Sequence, residues 1–556
     1  MSIVKEKINQ HLEAIYIDQH LDEAKILFDE LFNQFEKINF NQQAALTHEN
    51  VYLITYGDSF IEGNRPSLQV LRDILKEKLA DIISDVHLLP MFPYTSDDGF
   101  SVVDYYQIQE RLGDWNDIAQ LAHQNRLMFD FVVNHMSQSS EWFQNFLNNQ
   151  SDFQAAFVEY DENFDVSKVV RPRVSPLFHD YQLNQDKKRV WTTFSEDQVD
   201  TNVRDPKMLA RLTEVLLNYS ALGATSIRLD AIGFMWKSSG TTCMHLPQTH
   251  EIVKLWRTLL DYFAPNTQII TETNVPHQEN ISYFGNDDEA NQVYQFPLPP
   301  LVLHTFISGN AQKISDWAKT IHQVSAKATY FNFLASHDGI GLRPVENILS
   351  EKEINQMVAH VKENGGKVSM KTNTDGTQSV YEMNINYSEA LKDIEHPEET
   401  PQKMLAAHAI LLSVIGVPAI YYHSIFGSKN DYQGLNDSGI NRRINRQKLE
   451  KNQLYQELQT DAYRQQIYHG ISELIKIRKN NSVFSPYNDQ EILDLDTRLF
   501  AVRRSSKAGS IVSVVNISRE PVALPKVSGK DLITDKHFEE NQILAPYQYV
   551  WLEEFV

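Results

Sequence analysis

A single cysteine, Cys243, stands in a chain of 556 residues. One thiol cannot close an internal disulfide, and it cannot build a cysteine-based metal site. The stapled framework of a small secreted domain is therefore excluded. Positive charge is also scarce. Lys and Arg number 51 against 73 Asp and Glu, a formal net charge of −22, and no basic excess exists to displace phosphate counterions. No nucleic-acid partner is expected. Long apolar runs are missing too. The longest, from Ala406 to Tyr422, is interrupted by Gly416-Val417-Pro418, so it fits a helix, turn and strand better than a membrane span of about 20 residues. The opening Met1-Ser2-Ile3-Val4-Lys5-Glu6-Lys7 leads into a polar helical pattern without the apolar core of a signal peptide. A cytoplasmic protein with no membrane contact is expected.

What is present reads as an enzyme-sized globular chain. Hydrophobic content of 42% and charged content of 22% are ordinary for a soluble fold, and the length exceeds what one core usually serves, so two or more domains are expected. Residues 1–48 show apolar positions at helical spacing, among them Ile8, Leu12, Ile15, Leu27, Leu31 and Phe35. They form either a helical cap or an oligomer contact, and monomer and homodimer stay equally open. From residue 51 a short β-rich run, a loop and a helical stretch alternate. The runs are Val51–Tyr56, Val86–Met91, Leu127–Val133, Ser226–Leu229, Gln268–Thr271, Gln292–Phe296, Tyr330–Leu334 and Pro418–Tyr422. Helices with cap-like starts are expected after Asp114, Asp205 and Thr249. Eight buried strands alternating with helices are what an α/β fold of the closed (β/α)₈, or TIM-barrel, type requires. A doubly wound sheet also alternates, but no glycine-rich fingerprint follows the first run.

The catalytic barrel is expected to span 49–481. Two connections, at about 137–189 and 341–401, are longer than a barrel needs and read as lids or inserted subdomains. The tail 482–556 holds short strand-like runs, Ile511–Val515 and Tyr547–Leu552, and reads as a small all-β domain.

In such barrels chemistry collects where strands end. Strand four ends in Arg228-Leu229-Asp230-Ala231, strand five in Ile270-Thr271-Glu272, and strand seven leads to Ser336-His337-Asp338. Any one acid there could be structural. Three converging acids with an arginine and a histidine are costly without a task. Paired carboxylates serve retaining glycosyl transfer, in which one attacks the anomeric carbon and the other, kept protonated, protonates the departing oxygen. Arg228, two residues before Asp230, shares its strand face and can keep it ionised.

At these residues the chain resembles glycoside hydrolase family 13, the α-amylase family. Asp130-Phe131-Val132-Val133-Asn134-His135, Arg228-Leu229-Asp230-Ala231, Glu272 and Ser336-His337-Asp338 are similar to its four motif regions, in order, within a resemblance running from roughly Tyr52 to Arg446. His337-Asp338-Gly339-Ile340-Gly341, Gly240-Thr241-Thr242-Cys243, Val190-Trp191-Thr192-Thr193-Phe194, Lys429-Asn430-Asp431 and Ile444-Asn445-Arg446 resemble the sucrose phosphorylase subfamily. The resemblance implies Asp230 as nucleophile, Glu272 as acid/base and Asp338 as transition-state stabiliser. It implies Asp97 and Arg446 at the far end of the glucosyl ring, with His135, His337 and Arg228 completing the pocket. Phe100 and Phe194 become its walls, with Gln198 nearby. A pocket closed at one end takes a single glucosyl unit. The resemblance also implies no cofactor and no metal, although Asn134 and nearby acids could suggest the calcium of many amylases.

A phosphorylase must receive a phosphate dianion, which calls for cationic donors. Arg171-Pro172-Arg173 resembles the family's phosphate-handling loop, with Arg173 the expected contact and an ordinary basic turn the alternative. The second acceptor loop would be Ser379-Val380-Tyr381-Glu382. Val170 replaces the tyrosine that usually precedes Arg-Pro-Arg in plain sucrose phosphorylases, Phe234 replaces a tyrosine, and Ser379 and Glu382 replace their aspartate and glutamine. Thr271-Glu272-Thr273-Asn274-Val275-Pro276-His277 is closer to the branch of sucrose 6'-phosphate and glucosylglycerate phosphorylases. The resemblance implies reversible phosphorolysis of an α-glucoside, with inorganic phosphate and glucose 1-phosphate as small-molecule partners. A retaining hydrolase or transglucosidase is the main rival, since it uses the same acids but has no need of the Arg171–Arg173 loop. A non-catalytic scaffold would be expected to have lost Asp230 or Glu272.

Overall fold

In the computed structural model, which describes residues 2–17, 20–183, 186–373 and 375–554, eight parallel strands close into a barrel. They are β1 (Tyr52–Thr55), β2 (Asp85–Leu88), β3 (Arg126–Val132), β4 (Ala224–Asp230), β5 (Gln268–Thr271), β6 (Gln292–Tyr294), β7 (Thr329–Asn332) and β8 (Val417–Tyr421). Each expected run supplies one of them. Parallel strands covered on both faces need continuous apolar runs, and β4, for one, is buried at every position.

Helices enter where caps direct them. Asp114 and Asp117 form a reciprocal capping box ahead of the helix Trp115–Ala122. Asp205 accepts from the Lys207 amide ahead of a helix whose first residue is Pro206. The helix expected after Thr249 begins instead at Pro247. Proline suits a first turn because its missing N–H has no partner there anyway.

The N-terminal segment forms α1 (Ser2–Ile15) and α2 (Leu21–Phe35). They lie on the barrel helices α3 (Pro206–Ala221) and α4 (Pro247–Phe263). Phe32 packs between Tyr262 and Phe263, with ring centroids 5.1 and 5.0 Å away, and His11 bonds Glu251 at 2.5 Å. The segment therefore packs against the outer helices of the barrel.

Within the first long connection, Phe178–Leu183 and Asp186–Trp191 pair as a hairpin, while His135–Ser137 pairs with Gln198–Asp200. In the second, Ile340–Gly341 pairs with Gln378–Asn384, which in turn pairs with Lys367–Thr372. The C-terminal region is all-β and contains a six-stranded sheet. No helix among the described residues is long and apolar enough to cross a membrane.

Candidate active site

The C-terminal ends of β4 and β5 and the segment after β7 open into one cavity lined by Asp230, Glu272 and Asp338. The Arg228 guanidinium lies beneath them. Its Nη1 is 2.9 Å from Asp230 and 2.8 Å from Asp130, its Nη2 is 3.9 Å from Glu272, and its Nε donates to the Tyr294 hydroxyl at 3.0 Å. Asp130 is also bonded by His87 at 2.9 Å, so the cation is fixed from below. Arg228 itself is 2% exposed and does not line the cavity. Ala231, directly after Asp230, adopts a left-handed φ of 49°. That turn aims its N–H at Glu272, which accepts at 3.0 Å. Strain at one residue thus ties the two acids together.

Burial and neighbouring carboxylates push Asp230 well above the ordinary carboxylate range, against the pull of Arg228. Burial likewise raises Glu272, again opposed by Arg228. Asp338 differs. Burial would raise it, but the guanidinium of Arg442, with those of Arg446 and Arg228, outweighs this and holds it well below the usual range. Arg442 lies 2.6 Å from Asp338 and bonds both oxygens of Glu382, at 2.8 and 2.9 Å.

The sugar-side wall is built by pairing. The antiparallel register of His135–Ser137 on Gln198–Asp200 sets Gln198 beside His135, and both Gln198 Nε2 and His135 Nε2 lie within 3.0 Å of the Phe100 carbonyl. His337 stacks on the Phe100 ring at 4.9 Å and 5°, and burial lowers the pKa of both histidines, leaving neutral imidazoles. Asp97 and Asp98 both have positive φ, 52° and 49°. Arg443 and Arg446 clamp Asp98, while Asp97 faces the cavity.

Besides Arg228, three expected contacts lie elsewhere. Arg446 does not line the cavity; it bonds Asp98 and the His337 carbonyl, both at 2.7 Å, from behind the wall. Arg442 lines the cavity instead. The triplet Ile-Asn-Arg occurs twice, at 440–442 and 444–446, and the structure brings the first copy inward. Arg171 turns away and donates to the Ser175 carbonyl within its own loop. Ser379 lies nearer the hairpin tip and bonds Asn373 at 3.0 Å; it lines a separate surface groove.

At the mouth, Arg173 lies across Phe194 and Tyr381, its guanidinium 5.5 and 5.3 Å from their ring centres. Tyr381 and Glu382 reach the cavity because Glu382 pairs with Gly341, three residues past Asp338. Sequence reasoning missed Arg442, Arg343 and Asn274, all of which line the cavity. Their one signal was position: Asn274 follows Glu272 by two residues, and Arg343 follows Asp338 by five. Elsewhere, the Lys237 ammonium bonds Asn134 at 2.9 Å and Asp200 at 2.7 Å, placing a protein cation among the groups that suggested calcium.

The α-amylase catalytic domain matches residues 56–486. A glucosylglycerate phosphorylase of Escherichia coli (strain K12) is 43% identical over 99% of this chain and 100% of its own length. A sucrose phosphorylase of Agrobacterium vitis is 29% identical, covering 78% of this chain and 89% of its own. The crystal structure of sucrose 6F-phosphate phosphorylase from Thermoanaerobacter thermosaccharolyticum superposes with a TM-score of 0.74 at 25% identity, over 85% of this chain and 95% of that one.

Proposed function

The chain belongs to the α-amylase family, and we propose that it is a retaining α-glucoside phosphorylase whose natural substrate is glucosylglycerate. The observation that carries the reading is the pairing of the Asp230, Glu272 and Asp338 carboxylates with two guanidiniums, Arg173 and Arg343, that line the same cavity. No carboxylate among the described residues lies within ion-pair distance of either, by contrast with the paired Arg442 beside them. Unneutralised cations at a sugar pocket suit a reaction whose leaving group and incoming nucleophile are both anions. Water or a neutral sugar as acceptor needs neither. The similarity to glucosylglycerate phosphorylases over nearly the whole chain supports the same choice.

In the proposed reaction a carboxylate oxygen of Asp230 attacks the anomeric carbon. The bond from that carbon to the glycerate oxygen breaks, and Glu272 gives its proton to the departing oxygen. A phosphate oxygen then attacks the glucosyl ester from the vacated side. Asp230 is released, Glu272 takes back a proton from the phosphate, and the configuration is retained. The two acids share a buried site and titrate as a pair. We assign the pair's negative charge to Asp230 and its proton to Glu272 on the direct contact of Asp230 with Arg228 at 2.9 Å, against 3.9 Å for Glu272, and against the upward push that burial gives Asp230. Asp338, held ionised by Arg442, is the group proposed to grip sugar hydroxyls, and Asp97 closes the far end. Cytoplasmic location belongs to the same reading.

The test is phosphate release from α-glucose 1-phosphate with D-glycerate, fructose, fructose 6-phosphate and glycerol offered separately. Release should be fastest with D-glycerate. Release that ignores every acceptor while glucose accumulates would identify a hydrolase and end the proposal.

A further inference from the structure

Neither Arg343 nor Asn274 takes part in a bond-making or bond-breaking step above, yet both line the cavity. Arg343 is half-buried, and its guanidinium has no ion-pair or hydrogen-bond partner among the described residues, so its fork of donors is available to an anion in the cavity. Asn274 donates its amide N–H to the Tyr381 hydroxyl at 3.4 Å, but its Oδ1 is buried with no partner. The two are brought together by one glycine. A Cβ at Gly341 would stand 2.8 Å from the Asn274 amide, so the backbone two residues before Arg343 rests directly against Asn274. Arg173 is situated differently, lying across the Phe194 and Tyr381 rings on the other long connection.

We propose that Arg343 and Asn274 form the leaving-group subsite for a small hydroxy acid. The Arg343 guanidinium takes the carboxylate and the Asn274 carbonyl oxygen accepts a hydroxyl proton. Arg173 then serves phosphate, so the two anions of the reaction meet different cations. This rests on the phosphorylase reading for the identity of the acid, but not for the site. Arg343 is a specificity-determining residue, and its removal leaves no protein group without a partner.

The experiment compares wild type with Arg343→Ala, Arg343→Lys, Asn274→Ala and Arg173→Ala. It measures KM for D-glycerate and for glycerol with α-glucose 1-phosphate as donor, and KM for phosphate in the reverse direction. Loss of a charged bidentate contact should raise the glycerate KM roughly 30-fold in Arg343→Ala, with partial recovery in the lysine variant and little change for glycerol or phosphate. Asn274→Ala should weaken glycerate and glycerol alike. A phosphate KM that rises in Arg343→Ala as much as the glycerate KM, or glycerate and glycerol affected equally by it, overturns the assignment. If wild type transfers to neither acceptor, the phosphorylase reading fails while the subsite remains testable through inhibition of glucose 1-phosphate hydrolysis by D-glycerate. Inhibition lost in Arg343→Ala sustains the subsite; inhibition unchanged there, or absent from wild type, refutes it.

Discussion

Asp230 and Glu272 are expensive residues to keep. Both carboxyls are raised by burial, so just above the ordinary carboxylate range the folded protein holds more protons than the unfolded chain. Rising pH therefore removes stability as these groups ionise. The neutral amides Asp230→Asn and Glu272→Gln escape that cost, and each variant should melt at or above wild type at pH 7 to 8 in thermal scans. Both should fail in transfer, the first by several orders of magnitude with every donor. Glu272→Gln should recover with α-glucosyl fluoride, whose departure needs no proton, and should lose the alkaline limb of the pH profile; failure of both signs would remove Glu272 from the acid role. Asp338 has the opposite sign. Its lowered pKa, set by Arg442 against burial, stabilises the fold above the unfolded carboxylate range and is lost as pH falls. Asp338→Asn should therefore lower the melting temperature at neutral pH, because Arg442 loses a partner at 2.6 Å.

At the scale of elements, α1 and α2 cover barrel helices rather than the site. Phe32 is 1% exposed against Tyr262 and Phe263, and Phe32→Ala should cost about 3–5 kcal/mol of stability. That loss should appear in the urea midpoint, with kcat/KM of the folded enzyme unchanged. A fall in kcat/KM at full folding would mean that this layer reaches the cavity. The two long connections behave otherwise. Each brings its contribution by strand pairing, the first through His135–Ser137 on Gln198–Asp200 and the second through Ile340–Gly341 on Gln378–Asn384. Register there is also active-site geometry, because a one-residue slip would displace Tyr381 and Glu382 from the cavity.

Across the whole molecule, the barrel and the C-terminal sheet are joined by arginines that meet main-chain carbonyls. Arg504 is fully buried and donates to Ser413, Ser485, Asn488 and Asp489. Arg478 similarly reaches Leu412, Gly416 and Phe484. Arg504→Leu leaves four carbonyls without that donor and should cost on the order of 2–4 kcal/mol. Barrel and sheet should then unfold in one transition, as the shared seam requires; two separate transitions in wild type would show that the seam carries little.

The division between sequence and structure follows the range of the forces involved. Strand periodicity, caps and the acids at the ends of β4 and β5 are local, and they were legible as a barrel with a carboxylate mouth. Helix Pro247–Phe263 begins three residues before the start expected after Thr249, because its N-cap, Leu246, has no side-chain acceptor to mark it. Which of two identical triplets faces the cavity was not legible, since 440–442 and 444–446 differ only in how the chain bends around Asp98 and Asp338. Nor could the sequence seat Tyr381 beside Arg173, because their approach depends on two long connections pairing far apart along the chain. The sequence by itself determined the barrel and the acids that its strands carry to the mouth, because neighbours along the chain enforce them. Tertiary structure alone decided which cations line the cavity, since a guanidinium on a flexible stem settles where partners from distant segments, or their lack, leave it.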